Sequence, residues 1–170
     1  MKDRELLVTS AGDNSTILWD NQRGIHIKKW EKTGRRDLLS VASESGAFAT
    51  GTSVSAAADE DPESTLIKVF APEMGEFPDR PLRLTYPRRL AIGNSQNRVD
   101  LTSISISPNG EWLSGGSSKG ELFLWQVKSP NSPFRSWDVE SLVVNIEFIP
   151  SGSGAKNEVQ LLVTFRNGTV

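Results

Sequence analysis

Two stretches of this chain, 7–19 and 113–125, align with each other without a gap. Each is an alternating run, a small polar turn and a second run closed by tryptophan, Trp19 in one and Trp125 in the other. A further copy occupies 48–52 and 65–70 around an insert, with Phe70 standing where tryptophan stands elsewhere, and another begins at 161–170. Upstream of these lie the runs 38–42, 102–106 and 143–149, each leading into a turn: Glu44-Ser45-Gly46, Pro108-Asn109-Gly110 and Pro150-Ser151-Gly152. Proline fixes φ and glycine accepts positive φ, which tight turns require. A chain that repeats strand, turn and strand in this way is confined to small antiparallel sheets. No 3.6-residue periodicity is sustained long enough to build a helix.

In the run 102–106, Ile104 and Ile106 fall on one face and Ser103 and Ser105, with Ser107 beyond, on the other. Small residues on that second face let a neighbouring sheet come close. The two polar inserts, 53–64 and 87–98, read as loops.

These residues resemble the WD-repeat (β-transducin repeat) propeller family. The resemblance is carried by the dipeptide Trp19-Asp20, by Ser107-Pro108-Asn109-Gly110 and by Trp125, and it covers nearly the whole chain. It implies an all-β fold, a partial β-propeller of three to four four-stranded antiparallel blades in a single domain over 1–170. The approximate blades are 1–33, 34–86, 99–138 and 139–170, the last incomplete. The spacing from Trp19 to Phe70 to Trp125 exceeds the ~40–45 residues of one unit, and the inserts account for the excess. Of the family's polar tetrad, Thr9, Asp13 and Trp19 match three members in the first copy. The third copy keeps Trp125 but has Gly115 and Lys119 at the hydroxyl and aspartate positions, and no Gly-His dipeptide occurs. Seven units need ~300 residues, so the expectation is half a ring. The remaining blades would come from the parent chain or another subunit; a closed four-bladed ring is the alternative.

The composition sets the remaining bounds. Charged residues make up 24% of the chain and the formal charge is −2, so no global field draws in nucleic acid or an anionic membrane. There is no cysteine, and therefore no disulfide or thiolate chemistry. No apolar run approaches the ~20 residues of a membrane span, and no secretory signal is read at the N-terminus. The expected location is intracellular, cytoplasmic or nuclear, with no membrane partner.

His26, the one histidine, stands in an alternating outer run and has no second imidazole or thiol to work with. Gly115, Gly116 and Gly120 lie between strands and not before a helix, which removes the anion-cradling reading. Asn14 and Asn167 sit in glycosylation sequons that read as hairpin turns. The acidic run 59–63 reads as a solvated loop. An enzyme is not expected, nor any cofactor or metal.

The expected function is a non-enzymatic scaffold or adaptor that binds protein partners through its inter-blade loops. The alternative is a component of an RNA-associated assembly, as in ribosome or RNA processing. In propellers of this family the connections between blades share one face with the turns that hold Asp13, Lys119 and Arg166. Arg35, Arg36, Arg88, Arg89, Lys119 and Arg166 are the candidate partner-binding residues there. A basic arc of this kind suits acidic or phosphorylated peptides. Trp19, Phe70 and Trp125 are expected between blades, and Trp30 and Trp137 half-buried near the outer strand.

Overall fold

The computed structural model describes residues 5–13, 15–31, 38–51, 66–72, 77, 82–85, 101–129, 134–149 and 160–169. Among them there is no helix, and the strands form four small antiparallel sheets. The first sheet holds β1 (Leu6–Ser10), β2 (Thr16–Asp20) and β3 (Ile25–Trp30). The second holds β4 (Leu38–Val41), β5 (Phe48–Gly51), β6 (Leu66–Phe70) and β7 (Leu82–Thr85), in that spatial order. The third runs β8 (Leu101–Ile106), β9 (Trp112–Ser117), β10 (Glu121–Gln126) and β11 (Arg135–Asp138), and the fourth pairs β12 (Val143–Ile149) with β13 (Gln160–Phe165). Sequential strands are neighbours throughout, so each sheet is a meander and the whole is the expected all-β, partial-propeller arrangement.

The repeated turns do what their residues dictate. Gly110 has φ +75° and its N–H donates to Ser107 O at 2.8 Å. A residue with a Cβ resists that conformation. The inserts at 53–64 and 87–98 and the turn at 150–152 lie outside the described residues.

Three apolar layers hold the sheets together. Leu18 and Trp30 of the first sheet meet Phe48 and Phe70 of the second. Ala49, Ile67, Val69 and Leu84 of the second meet Leu101, Ile104, Leu113, Phe123 and Trp125 of the third. Leu122 of the third meets Val143 and Ile146 of the fourth. Each sheet thus buries its apolar residues on the next one in sequence, the nearest-neighbour logic of a repeat architecture.

Hydroxyls join the inner strands as well. Ser40 Oγ accepts from Ile106 N at 3.0 Å, and Ser103 Oγ accepts from Ile146 N at 3.1 Å. The Thr102 hydroxyl lies 2.6 Å from Val143 O. At the far end of β8, Pro108 O accepts from Glu44 N and Ser45 N. Ser103, one of the serines expected to admit a close neighbour, does so, and the Ser40 and Ser103 hydroxyls also satisfy backbone N–H groups of the adjoining sheet.

Two aromatic placements differ from expectation. Trp30 is buried, at 5% exposure, and not half-buried: Phe48, Phe70 and Phe77 surround its ring. Trp19 is half-buried where Phe70 and Trp125 are fully enclosed. Those two rest against a preceding sheet, whereas no sheet covers the Trp19 face among the described residues. Trp137 is 38% exposed.

Candidate interaction surface

Strand register gathers a set of turns and connections at one end of the sheets. Ser10 pairs with Thr16, Leu122 with Gly116, Glu121 with Asp138 and Val143 with Phe165, so the segments at 11–15, 118–120, 139–142 and 166–169 share that end within their sheets. Gly120 O accepts from Val139 N at 2.7 Å, and Leu142 O accepts from Arg166 N at 3.0 Å. The 139–142 connection therefore bridges the turn holding Lys119 to the turn holding Arg166.

Lys119 and Arg166 are the two candidate cations that the structure describes, and it brings them to the same end. Arg35, Arg36, Arg88 and Arg89 lie outside the described residues. Glu121, Asp138 and Glu140 also belong to this region. The described part of the surface is mixed in sign and is not a purely basic arc. Opposite charges a few ångströms apart reduce the pull on a distant anion but leave short, directional contacts available. Ser117 Oγ accepts from Glu121 N at 3.0 Å and from Lys119 N at 3.3 Å, which fixes the turn that carries Lys119.

The tetrad residues are placed as follows. Trp19 Nε1 donates to Thr9 Oγ1 at 2.8 Å. Asp13 Oδ1 accepts from Ser15 Oγ at 2.6 Å and from Ser15 N at 3.0 Å, closing its own hairpin turn. The Ser15 hydroxyl, then the Ser15 N–H, holds the Asp13 carboxyl below the usual aspartate range. We expect Thr9→Val to cost about 1 kcal/mol, one neutral hydrogen bond. Urea denaturation of the variant checks it, with a loss under a few tenths of a kcal/mol counting against the bond.

In the third sheet the same register position is Gly115, opposite Phe123 as Thr9 is opposite Ile17. Trp125 Nε1 is buried and has no hydrogen-bond partner among the described residues. A Cβ at Gly115 would stand 3.1 Å from Trp125 Cζ3 and 3.1 Å from Leu101 Cδ1. The benzo ring of Trp125 has taken the space that a hydroxyl residue would need. Gly115 and Gly116 are thus inside β9 and not between strands, since the Trp125 ring crowds the first and Val143 the second.

Phe70 is buried and stacks on Phe48 at 4.6 Å. His26 is exposed on β3, its ring edge-on to Trp19 at 6.3 Å. Asn167 Oδ1 accepts from Thr169 N and Oγ1, so this sequon is a turn. Asn14 and the acidic run 59–63 fall outside the described residues.

The chain is similar to a Dictyostelium discoideum protein described as a ribosome biogenesis protein BOP1 homolog. The two are 34% identical over 95 residues, which cover 53% of this chain and 11% of that relative. The chain therefore corresponds to a small part of the relative's length. No family model matches it.

Proposed function

We propose that this chain is a WD-repeat-like, non-enzymatic scaffold within an RNA-containing assembly of the kind that builds ribosomes. The observation that carries the reading is the 34% identity to a relative whose name places it in ribosome biogenesis. The stacked small sheets with their cluster of turns at one end are in keeping with it, because a repeat stack positions loops without any reacting group. The turn end with Lys119 and Arg166 is the contact surface on this reading; Arg35, Arg36, Arg88 and Arg89, the other candidates from the sequence, lie outside the described residues. The same relationship supports a nuclear location on this reading.

The test uses the protein in its native host, tagged and resolved on a density gradient. It is expected to sediment with particles that contain precursor ribosomal RNA. Reversing the charge of all six candidate cations is expected to shift most of it to the free fractions, with an effect that shrinks as salt rises. Sedimentation as a free protein at low salt would count against the assembly reading. Unchanged association of the six-residue variant would remove the turn end as the contact surface.

A further inference from the structure

The dipeptide Ser-Pro occurs three times in this chain, as Ser107-Pro108, Ser129-Pro130 and Ser132-Pro133. Proline fixes its own φ, lacks an N–H and keeps the residue before it extended. Proline-directed protein kinases exploit that restriction and transfer phosphate to a serine that proline follows.

The fold treats two of these serines in opposite ways. Ser107 is buried, at 6% exposure. Its hydroxyl donates to Asn109 Oδ1 at 2.7 Å and accepts from Trp112 N at 2.9 Å. The next residue, Pro108, ties this turn to the second sheet by accepting from Glu44 N and Ser45 N. A phosphate on Ser107 would break both hydroxyl bonds and wedge the two sheets apart. Ser129 is exposed, and its hydroxyl makes no hydrogen bond among the described residues. Only its backbone is engaged, with Ser129 N donating to Gln126 O at 2.8 Å. That oxygen can react at no cost to the fold. Pro130 and Ser132-Pro133 lie outside the described residues.

The surroundings of Ser129 accept negative charge. It stands in the connection from β10 to β11, and β10 ends at Gln126, which pairs with Trp112 at the end of the third sheet away from Lys119. The segment 122–137 contains Lys128 and Arg135 and no acidic residue. Glu111 O accepts from Val127 N, but the Glu111 carboxylate is occupied by Asn109 Nδ2 at 3.0 Å.

We propose that Ser129 is a phosphorylation site for a proline-directed serine/threonine kinase. Ser129 Oγ attacks the γ-phosphorus of Mg–ATP. The new O–P bond forms as the bond to the bridging β–γ oxygen breaks, ADP leaves, and the hydroxyl proton passes to the kinase's catalytic aspartate. The product carries about 1.5 to 2 further negative charges at pH 7. This site lies away from the turn end and does not depend on the ribosome-assembly reading.

The full chain is incubated with a purified cyclin-dependent kinase and Mg–ATP, and tandem mass spectrometry locates the phosphate. A synthetic peptide of residues 125–135 is treated in parallel. The expected result is phosphate on Ser129 in the greater part of the folded chains and in the peptide, with Ser107 unmodified. Ser129→Ala is expected to lose that phosphate and keep the parent's urea unfolding midpoint. The phosphorylated chain is expected to keep that midpoint too, since the hydroxyl has no bond to lose. Phosphate on the peptide but not on Ser129 of the folded chain overturns the proposal, because the fold then hides the serine. Failure of both overturns it as well, and so does phosphate on Ser107 or on Ser132 alone. A clear fall in the midpoint of the phosphorylated chain would show that the fold uses the Ser129 hydroxyl, and the proposal would be lost.

Discussion

Trp125→Ala is expected to destabilise the chain by ~3–5 kcal/mol, the usual cost of removing a large aromatic from a core. Trp125 is fully enclosed between the second and third sheets, stacked at 5.7 Å on Phe123, with its benzo ring against Gly115. Trp125→Phe should behave differently. Both variants remove an indole N–H that is buried without a partner among the described residues, a group that costs ~1–3 kcal/mol, but phenylalanine leaves much the smaller void. The two terms oppose each other and are of similar size. The phenylalanine variant is therefore expected within about 1 kcal/mol of the parent, and Phe70 already occupies the matching place in the second sheet. Equilibrium urea unfolding of the full chain measures both. A loss for the phenylalanine variant well above ~1 kcal/mol would show that removing the unpartnered N–H does not offset the void.

Gly120→Ala comes next, at ~3 kcal/mol. Gly120 has φ +83°, and a Cβ there would lie 2.6 Å from Ser141 N and 2.9 Å from Ser141 O. Both atoms are backbone and cannot swing aside. The substitution must strain the turn or push away the 139–142 connection, and with it the start of β12. Gly168→Ala separates the two contributions. Its φ is +81° but no described residue stands within 4 Å of the added carbon, so only the conformational strain remains, ~1 kcal/mol. Unfolding midpoints that move equally for both variants would mean that the contact with Ser141 is relieved at no cost.

The parts of the fold that were legible in the sequence are those set by local pattern. The gapless match of 7–19 to 113–125 reflects matching strand register, so the equivalence of Trp19 and Trp125 follows from counting. Trp30 could not be read that way. It ends a strand whose other residues are mostly exposed, and its burial depends on Phe48, Phe70 and Phe77, which are distant in sequence. The loss of the hydroxyl at Gly115 was visible, but the turn of the Trp125 ring into the vacated space was not, since it depends on three-dimensional crowding with Leu101. At the turn end, Lys119 and Arg166 could be placed from the repeat. The acidic residues beside them were visible in the sequence too, but their sharing of that end follows from the 139–142 connection.

The hydroxyls between the inner strands invert the usual tolerance of such a chain to change. Ser40, Ser103 and Thr102 are polar by composition, and a hydropathy profile would assign them to water. In the fold they act as spacers of fixed length between neighbouring sheets, each made to one backbone group on the other side. Alanine there strands a backbone partner, and leucine forces the sheets apart, so a change towards a more oily residue does harm in either direction. The surface loops, by contrast, vary in length from one copy to the next while the sheets keep their pairing. Selection on this chain would therefore look reversed to anyone sorting positions by polarity: small hydroxyls immovable, long charged stretches free to drift.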